Sequence, residues 1–160
     1  MRIEGTRVFE APPATVYAAL VDPQLVASTV PGIQEFTVDS PERWHGSVRL
    51  PMGPRISFRF ELAERNEPHR AVLVAHGKTL GGSVRVETAF ELEPVTSAAG
   101  VAGAATLMRY TAQAQLSGLL GRLGDTALKP VGELQVAAVM RAVERHVKAH
   151  RAAEPAGTDG

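Results

Sequence analysis

The side chains of this 160-residue chain that could carry out acid–base or metal chemistry are five histidines. His146 and His150 stand four residues apart, a spacing that could hold a metal ion on one face of a helix. The pair lacks a clear third ligand, so a solvated helix end, which favours cations, explains it better. His69 follows Pro68 in a predicted turn, and we expect it at the surface. No metal site is therefore predicted.

His76 is the histidine that could serve as a general acid or base. Residues 70–80 alternate, but both faces of the segment begin apolar, so the pattern leaves open which face is inward. An inward His76 would share a cavity with Trp44, Thr88 and Tyr110. A few polar groups in an apolar pocket usually orient a ligand rather than react with it. The alternatives are a surface His76 and a purely structural role for the two aromatic residues.

Composition excludes several classes of function. The 17 basic and 17 acidic side chains balance and aromatic residues make up only 5%, so neither a basic patch nor a base-stacking surface for nucleic acid is expected. Cysteine is absent, which excludes disulfides, thiolate metal sites and a cysteine nucleophile. No apolar run reaches the ~20 residues of a membrane span, and Met1 leads directly into a strand pattern without a secretory signal. We expect a cytoplasmic protein without a cofactor, and peripheral contact with the inner face of the membrane stays open.

The elements that must position these side chains follow from the spacing of apolar residues. A strand over residues 2–10 ends at Pro12-Pro13, where a short helix through Leu20 begins. A second short helix starts at Asp22-Pro23. Period-two alternation separated by turn residues then predicts six antiparallel strands, over residues 33–39, 43–50, 55–65, 70–80, 83–93 and 104–117. We predict one domain over residues 1–150 and a disordered polar tail over 151–160.

The last third of the chain predicts one long amphipathic helix. Apolar residues recur at close to helical spacing, at Leu120, Leu123, Ala127, Val131, Leu134, Ala138, Met140 and Val143. A helix of roughly 25 residues would be about 38 Å long. Pro130 lies inside it, removes one backbone donor and should kink it. Such a helix laid across a curved sheet can build a pocket.

The alternation of the strands predicts one dry face beneath that helix. The small side chains of Ala112 and Ala114 leave space there, which serves either a cavity or close packing of the helix. The candidate ligand-binding residues are those expected to line this space: Trp44, Phe58, Phe60, His76, Thr88, Phe90, Met108, Tyr110, Leu120, Leu123, Ala127, Val131 and Leu134. The turns Val30-Pro31-Gly32 and Pro51-Met52-Gly53-Pro54 would lie near its rim, and Gly118 to Gly124 forms either a hinge or an apolar lip.

Short motifs occur in an order that resembles a known superfamily. They are Met1 to Gly5, Ala11-Pro12-Pro13, Leu20 to Pro23, Val30-Pro31-Gly32, Met52-Gly53-Pro54, Gly77 to Gly82 and Leu119 to Gly124. Over residues 1–148 the chain resembles the SRPBCC (START-like) superfamily, and within it the CoxG-like family of carbon monoxide dehydrogenase proteins. The resemblance implies an α+β helix-grip fold, in which a curved antiparallel sheet of about seven strands wraps around a long C-terminal helix, with two short helices after the first strand.

The resemblance also implies a function. It indicates a non-catalytic carrier for an apolar, quinone- or lipid-like small molecule, acting beside a molybdenum-containing carbon monoxide dehydrogenase-type enzyme. The short polar C-terminal tail of this chain differs from the longer tails of some relatives, which end in a membrane anchor. Two alternatives remain open: an enzyme resembling polyketide cyclases or dehydratases, with His76 as its acid or base, and an assembly partner whose cavity is filled by its own side chains.

Overall fold

The computed structural model describes residues 1–49, 55–122 and 124–153. The turn at residues 51–54 and Leu123, both singled out above, lie outside the described residues. The described chain forms, in order, β1 (Arg2–Phe9), α1 (Pro13–Leu20), α2 (Pro23–Ser28), β2 (Ile33–Ser40), β3 (Arg43–Arg49), β4 (Arg55–Asn66), β5 (Arg70–Thr79), β6 (Gly82–Val95), β7 (Ala105–Gly118), a 3-10 turn (Leu119–Arg122) and α3 (Gly124–Ala153).

The seven strands form one antiparallel sheet in the order β1-β7-β6-β5-β4-β3-β2. From β2 to β7 each strand pairs with the next one in the chain, as alternating segments joined by short turns predict. The first strand, β1, forms one edge of the sheet and pairs with the last strand, β7, so that Gly5 lies opposite Tyr110. Helix α3 packs on one face through Met140, Val143 and Val147, and the predicted helix-grip fold is confirmed.

The local signals that set the element boundaries act as the sequence predicted. Asp22 caps α2, and its side chain accepts a hydrogen bond of 3.0 Å from the backbone N–H of Gln24. Helix α3 continues without interruption through Pro130, which lies in its second turn. It also extends to Ala153, so its last three residues belong to the segment that we expected to be a tail.

No helix in the described ranges is both long and apolar enough to cross a bilayer.

The main core lies where α1 and the C-terminal half of α3 meet the sheet. Met140, Val143 and Val147 of α3 are buried against Phe9 of β1 and Met108 of β7. Their spacing of three and four residues places them on one helix stripe. The N-terminal half of α3 is much less covered, since Val131 and Leu134 of that half are 62% and 69% exposed. The C-terminal half of α3 therefore supplies the buried apolar residues that join the helix to the core.

Tyr17 of α1 is buried in this core with an unpartnered hydroxyl group. The residue is 1% exposed, and among the described residues its Oη has no partner at hydrogen-bond distance, with the side chain of Arg65 as its polar neighbour. Burial raises the pKa of Tyr17 above its usual 10.0; the neighbouring Arg65 opposes this effect and Glu67 adds to it. A buried hydroxyl without a partner keeps its desolvation cost, which is about 1–3 kcal/mol.

Replacing Tyr17 with phenylalanine should therefore raise the free energy of unfolding, by about 1 kcal/mol at neutral pH. The raised pKa means that the folded state holds the phenolic proton more tightly than the unfolded state. The parent protein should then lose stability as pH rises above about 10 toward the folded-state pKa, and Tyr17→Phe should lack this loss. Urea unfolding of both proteins at neutral and alkaline pH measures both effects. A variant less stable than the parent at neutral pH would contradict the prediction.

Candidate functional site

The inner face of the sheet, on which α3 lies, carries an apolar trough next to the core. We define the trough as the half-buried inner-face residues of β4 to β7. The register joins them in rows, for example from Phe60 through Ala75 and Val86 to Ala114. The full set is Phe58, Phe60, Leu73, Ala75, Val84, Val86, Thr88, Tyr110, Ala112, Ala114 and Leu116. Each of these residues keeps part of its surface accessible, whereas Phe90 and Met108 on the same face are buried.

The centre of the trough is lined by small side chains. Ala75, Thr88, Ala112 and Ala114 lie on three neighbouring strands, and directly opposed residues have Cβ atoms about 5 Å apart. Phe58 and Phe60 of β4 form the aromatic side, with ring centroids 5.9 Å apart. Small residues in the middle and large residues at one side make a depression rather than a flat sheet face. This depression could receive an apolar ligand.

A pocket of about 280 Å³ lies between β1 and α3, beside the trough. Its lining comprises Ile3, Thr6, Arg7, Tyr110, Glu133, Val136, Ala137 and Met140. Gly132 allows α3 to approach β1 here, because a Cβ atom on Gly132 would lie 2.7 Å from Cδ1 of Ile3. Ile3 is also the register partner of Ala112 in the trough, so the two spaces adjoin.

An ion pair lies at the boundary between the pocket and the core. Arg7 of β1 is the register partner of the buried Met108, so its side chain is on the inner face. Its guanidinium donates a hydrogen bond of 2.9 Å to Glu144 of α3 and lies 5.5 Å from the ring centre of Phe9. The pair neutralises itself, which suits a site for uncharged ligands better than one for ions.

Two hydroxyl groups on the inner face are available to a ligand. The ring of Tyr110 lies over Gly5, where a Cβ atom would be 2.5 Å from the tyrosine oxygen, so only glycine leaves room for it. Among the described residues, neither Tyr110 nor Thr88 has a side-chain hydrogen bond to the protein. A hydroxyl in a largely apolar site can fix the orientation of a ligand that carries an oxygen or nitrogen atom. Within the described ranges, no group of three or more acidic or histidine side chains could hold a metal ion.

Comparison with known families places this arrangement in context. The family model described as polyketide cyclase/dehydrase and lipid transport matches residues 1–149. The chain belongs to this family. The SRPBCC (START-like) resemblance seen in the sequence is thereby confirmed at the superfamily level, whereas the match does not extend to the CoxG-like family. No curated protein sequence matches the chain.

Solved structures of similar fold span nearly the whole chain. A conserved protein from Geobacillus kaustophilus superposes with a TM-score of 0.78 at 16% identity, covering 93% of this chain and 96% of its own. A START superfamily protein from Mycobacterium smegmatis gives 0.67 at 15% identity, with 92% and 97% covered. The ZhuI aromatase/cyclase from a Streptomyces species gives 0.66 at 14% identity, with 96% of both chains covered. At these low sequence identities, the superpositions establish a shared fold alone.

In this member of the polyketide cyclase and lipid transport family, the predicted ligand-binding residues fall into three groups. Phe58, Phe60 and Thr88 lie in the trough, and Tyr110 lines the adjoining pocket. A second group is in the core: Trp44, Phe90 and Met108 are buried. The residues of the first group keep accessible side-chain surface. The second supports the fold beneath it.

The third group lies away from the trough. The exposed Ala127, Val131 and Leu134 of α3 occupy a different side of the helix from Val136 and Met140, as 100° per residue requires. Leu120 is half-buried in the 3-10 turn, where a Cβ atom on Gly82 would lie 2.9 Å from its Cγ.

The register answers the question that the sequence left open for His76. His76 pairs with Arg59 on one side and Arg85 on the other, on the outer face of the sheet. It therefore does not share the interior with Thr88 and Tyr110, and we correct our assignment of His76 to the ligand cavity. All five histidines lie within the described residues, and none is on the inner face of the sheet.

The sequence analysis missed the ion pair of Arg7 and Glu144. The signal was present, because Arg7 falls in the apolar alternation of Ile3, Gly5 and Phe9 on the first strand. A charged residue at an inward position of a strand needs a partner, and α3 supplies one.

Proposed function

We propose that this protein binds an uncharged, largely apolar small molecule in the trough and the adjoining pocket. The observation that carries the proposal is the half-buried apolar inner face, whose small central residues Ala75, Ala112 and Ala114 leave room above the sheet. Removal of apolar ligand surface from water would drive binding, at about 2.5 kcal/mol for each 100 Å². The name of the family, which includes lipid transport, supports such a ligand.

The polar groups around the site favour a ligand with one neutral polar end. Tyr110 can donate a hydrogen bond from its free hydroxyl, and Thr88 can donate one from the trough. A charged end would meet either Glu133 in the pocket or a guanidinium already paired with Glu144. A quinone, a phenol or a neutral lipid meets these requirements. An association with a molybdenum-containing enzyme remains a prediction that rests on the sequence motifs alone.

A cyclase or dehydratase reaction is the second candidate. The ZhuI aromatase/cyclase shares the fold, and Tyr110 and Glu133 line one pocket, where they could act as acid and base. The outward position of His76 removes the base that the sequence had suggested. The third alternative, an assembly partner with a filled cavity, is disfavoured by the partial exposure of the trough residues.

Native mass spectrometry of the purified protein, followed by organic extraction, tests the proposal. We expect a near one-to-one complex with a quinone, phenol or lipid. If the protein is empty, titration with a panel of quinones and neutral lipids follows, with the fluorescence of the single tryptophan as the signal. Failure of every member of the panel to bind would contradict the proposal. A bound molecule that is chemically changed on incubation would instead support the enzyme.

A further inference from the structure

We propose that the outer face of the sheet carries a second binding site, for a small organic anion. This outer groove has a volume of about 630 Å³ and lies across β2 to β5. Side chains on its floor point away from the trough, because neighbouring residues of a strand face opposite sides. The groove and the trough thus lie on opposite faces of the sheet, although Phe58 and Phe60 of β4 border both. Its lining includes the side chains of Arg43, His45, Arg55, Arg59 and His76.

The centre of the groove is a row of cationic or titratable side chains on adjacent strands. His45 of β3 lies opposite Arg59 of β4, which lies opposite His76 of β5. Arg85 of β6 extends the row as the next partner of His76. The imidazoles of His45 and His76 thus stand on either side of the Arg59 guanidinium, and all three side chains can donate hydrogen bonds to an anion. Arg59 occupies the middle of the part inside the groove.

The neighbouring charges of the groove are already paired. Arg55 binds Glu35 at 3.0 Å and also donates to the hydroxyl of Ser47. His45 contacts Asp39 at 2.7 Å.

Two further arginines have carboxylate partners as well: Arg43, two residues before His45 on β3, and Arg85, at the β6 end of the row. Arg43 lies 3.9 Å from Glu61, and Arg85 lies 3.1 Å from Glu87. Arg59, by contrast, has no carboxylate within 4.0 Å among the described residues. Three carboxylates also line the groove, those of Glu35, Asp39 and Glu61, and each is engaged by Arg55, His45 or Arg43. Arg59 is the arginine of the lining that is left to bind an added anion.

The chemistry of this position selects an oxyanion. A guanidinium presents a planar pair of N–H donors that matches a phosphate or carboxylate group. Ser57, two residues before Arg59, also lines the groove and adds a hydroxyl group. Lys78 is the register partner of Ser57 and lies on the same face of the sheet. A volume of 630 Å³ is within the range of small-molecule sites and exceeds the needs of a bare ion. We therefore infer a small metabolite bearing phosphate or carboxylate groups.

Titration of the ¹⁵N-labelled protein with pyrophosphate and with citrate, at constant ionic strength, tests this site by NMR. We expect saturable shifts of the amide signals of His45, Arg59 and His76 with at least one of the two anions. Saturation by pyrophosphate alone would identify a phosphate-bearing ligand, and saturation by citrate alone a carboxylate-bearing one. The exposed position of Arg59 means that Arg59→Gln should fold normally. Loss of its charge-assisted hydrogen bonds should weaken binding about tenfold or more.

Arg109→Gln is the matched control. Arg109 lies on the same outer face, on β7, where it pairs with Glu93 at 3.1 Å. This variant removes the same charge outside the groove, so its affinity should stay within about twofold of the parent, as expected for a screened distant charge. If neither anion gives saturable shifts, or if both variants weaken binding equally, the proposed site is overturned. Neither result would bear on ligand binding in the trough.

Discussion

Replacing Ala75 with phenylalanine should abolish or strongly weaken binding of the apolar ligand while the protein stays folded. Ala75 lies between Phe60 and Val86 in the middle of the trough, and its small side chain leaves the space that the ligand would occupy. A benzyl group there would fill that space, and the ligand would lose a large part of its buried apolar area. A loss of 100 Å² corresponds to about 2.5 kcal/mol, which is more than tenfold in affinity. Titration of parent and variant with the ligand identified by mass spectrometry measures the effect.

Ala89→Phe on β6 is the matched control for this substitution. Ala89 pairs with Val72 and Thr111 and belongs to the outer face of the sheet. The same group added there should leave the affinity for the ligand unchanged, because it does not reach the trough. Circular dichroism and urea unfolding establish that both variants are folded. Undiminished binding by a folded Ala75→Phe variant would place the ligand somewhere other than the trough.

The sheet could be predicted closely from the sequence because alternation of apolar and polar residues carries the necessary information. Most strands from β2 to β7 have a polar outer face and an apolar inner face, β5 being the exception, and turn residues separate the strands. Observed strand ends differ from the predicted ones by at most two residues. Thr88 and Tyr110 were placed on the inner face on this basis, and the register agrees.

The orientation of β5 could not be obtained in the same way. Val72 and Val74 of that strand are buried on the outer face, although the inner face of the same strand is also apolar. A strand that is apolar on both sides gives no signal for its direction, and His76 therefore stayed ambiguous. Only pairing with Arg59 and Arg85 identifies its face.

The position of α3 over the sheet depends on contacts that the helical pattern does not contain. The apolar repeat includes both Val131 and Met140, yet one is exposed and the other buried. The close approach of Gly132 to Ile3 and the ion pair of Arg7 with Glu144 fix α3 against β1. Both contacts join residues more than 120 positions apart, so periodicity within the helix cannot reveal them.

Trp44→Ala should cause one of the largest losses of stability of any substitution on the inner face, about 3–5 kcal/mol. Trp44 was predicted to line a ligand cavity, but it is 1% exposed. Its ring lies 5.9 Å from that of Phe60 and 6.4 Å from that of Phe36, and its indole N–H donates to the carbonyl of Pro41 at 3.2 Å. It thus holds three neighbouring strands and the turn before β3 together. Urea unfolding followed by far-ultraviolet circular dichroism measures the loss without requiring the tryptophan signal.

Trp44→Phe separates packing from the hydrogen bond. It keeps an aromatic ring beside Phe60 and removes the donor to Pro41, so it should cost clearly less than alanine does. A loss below about 1 kcal/mol for Trp44→Ala would contradict the core assignment, since truncation of a buried tryptophan in a packed core costs several times that amount. The indole would then be part of the wall against which the ligand packs. Because Phe60 contacts Trp44 and also lines the trough, the core assignment instead predicts that the alanine variant loosens the trough and weakens binding through Phe60.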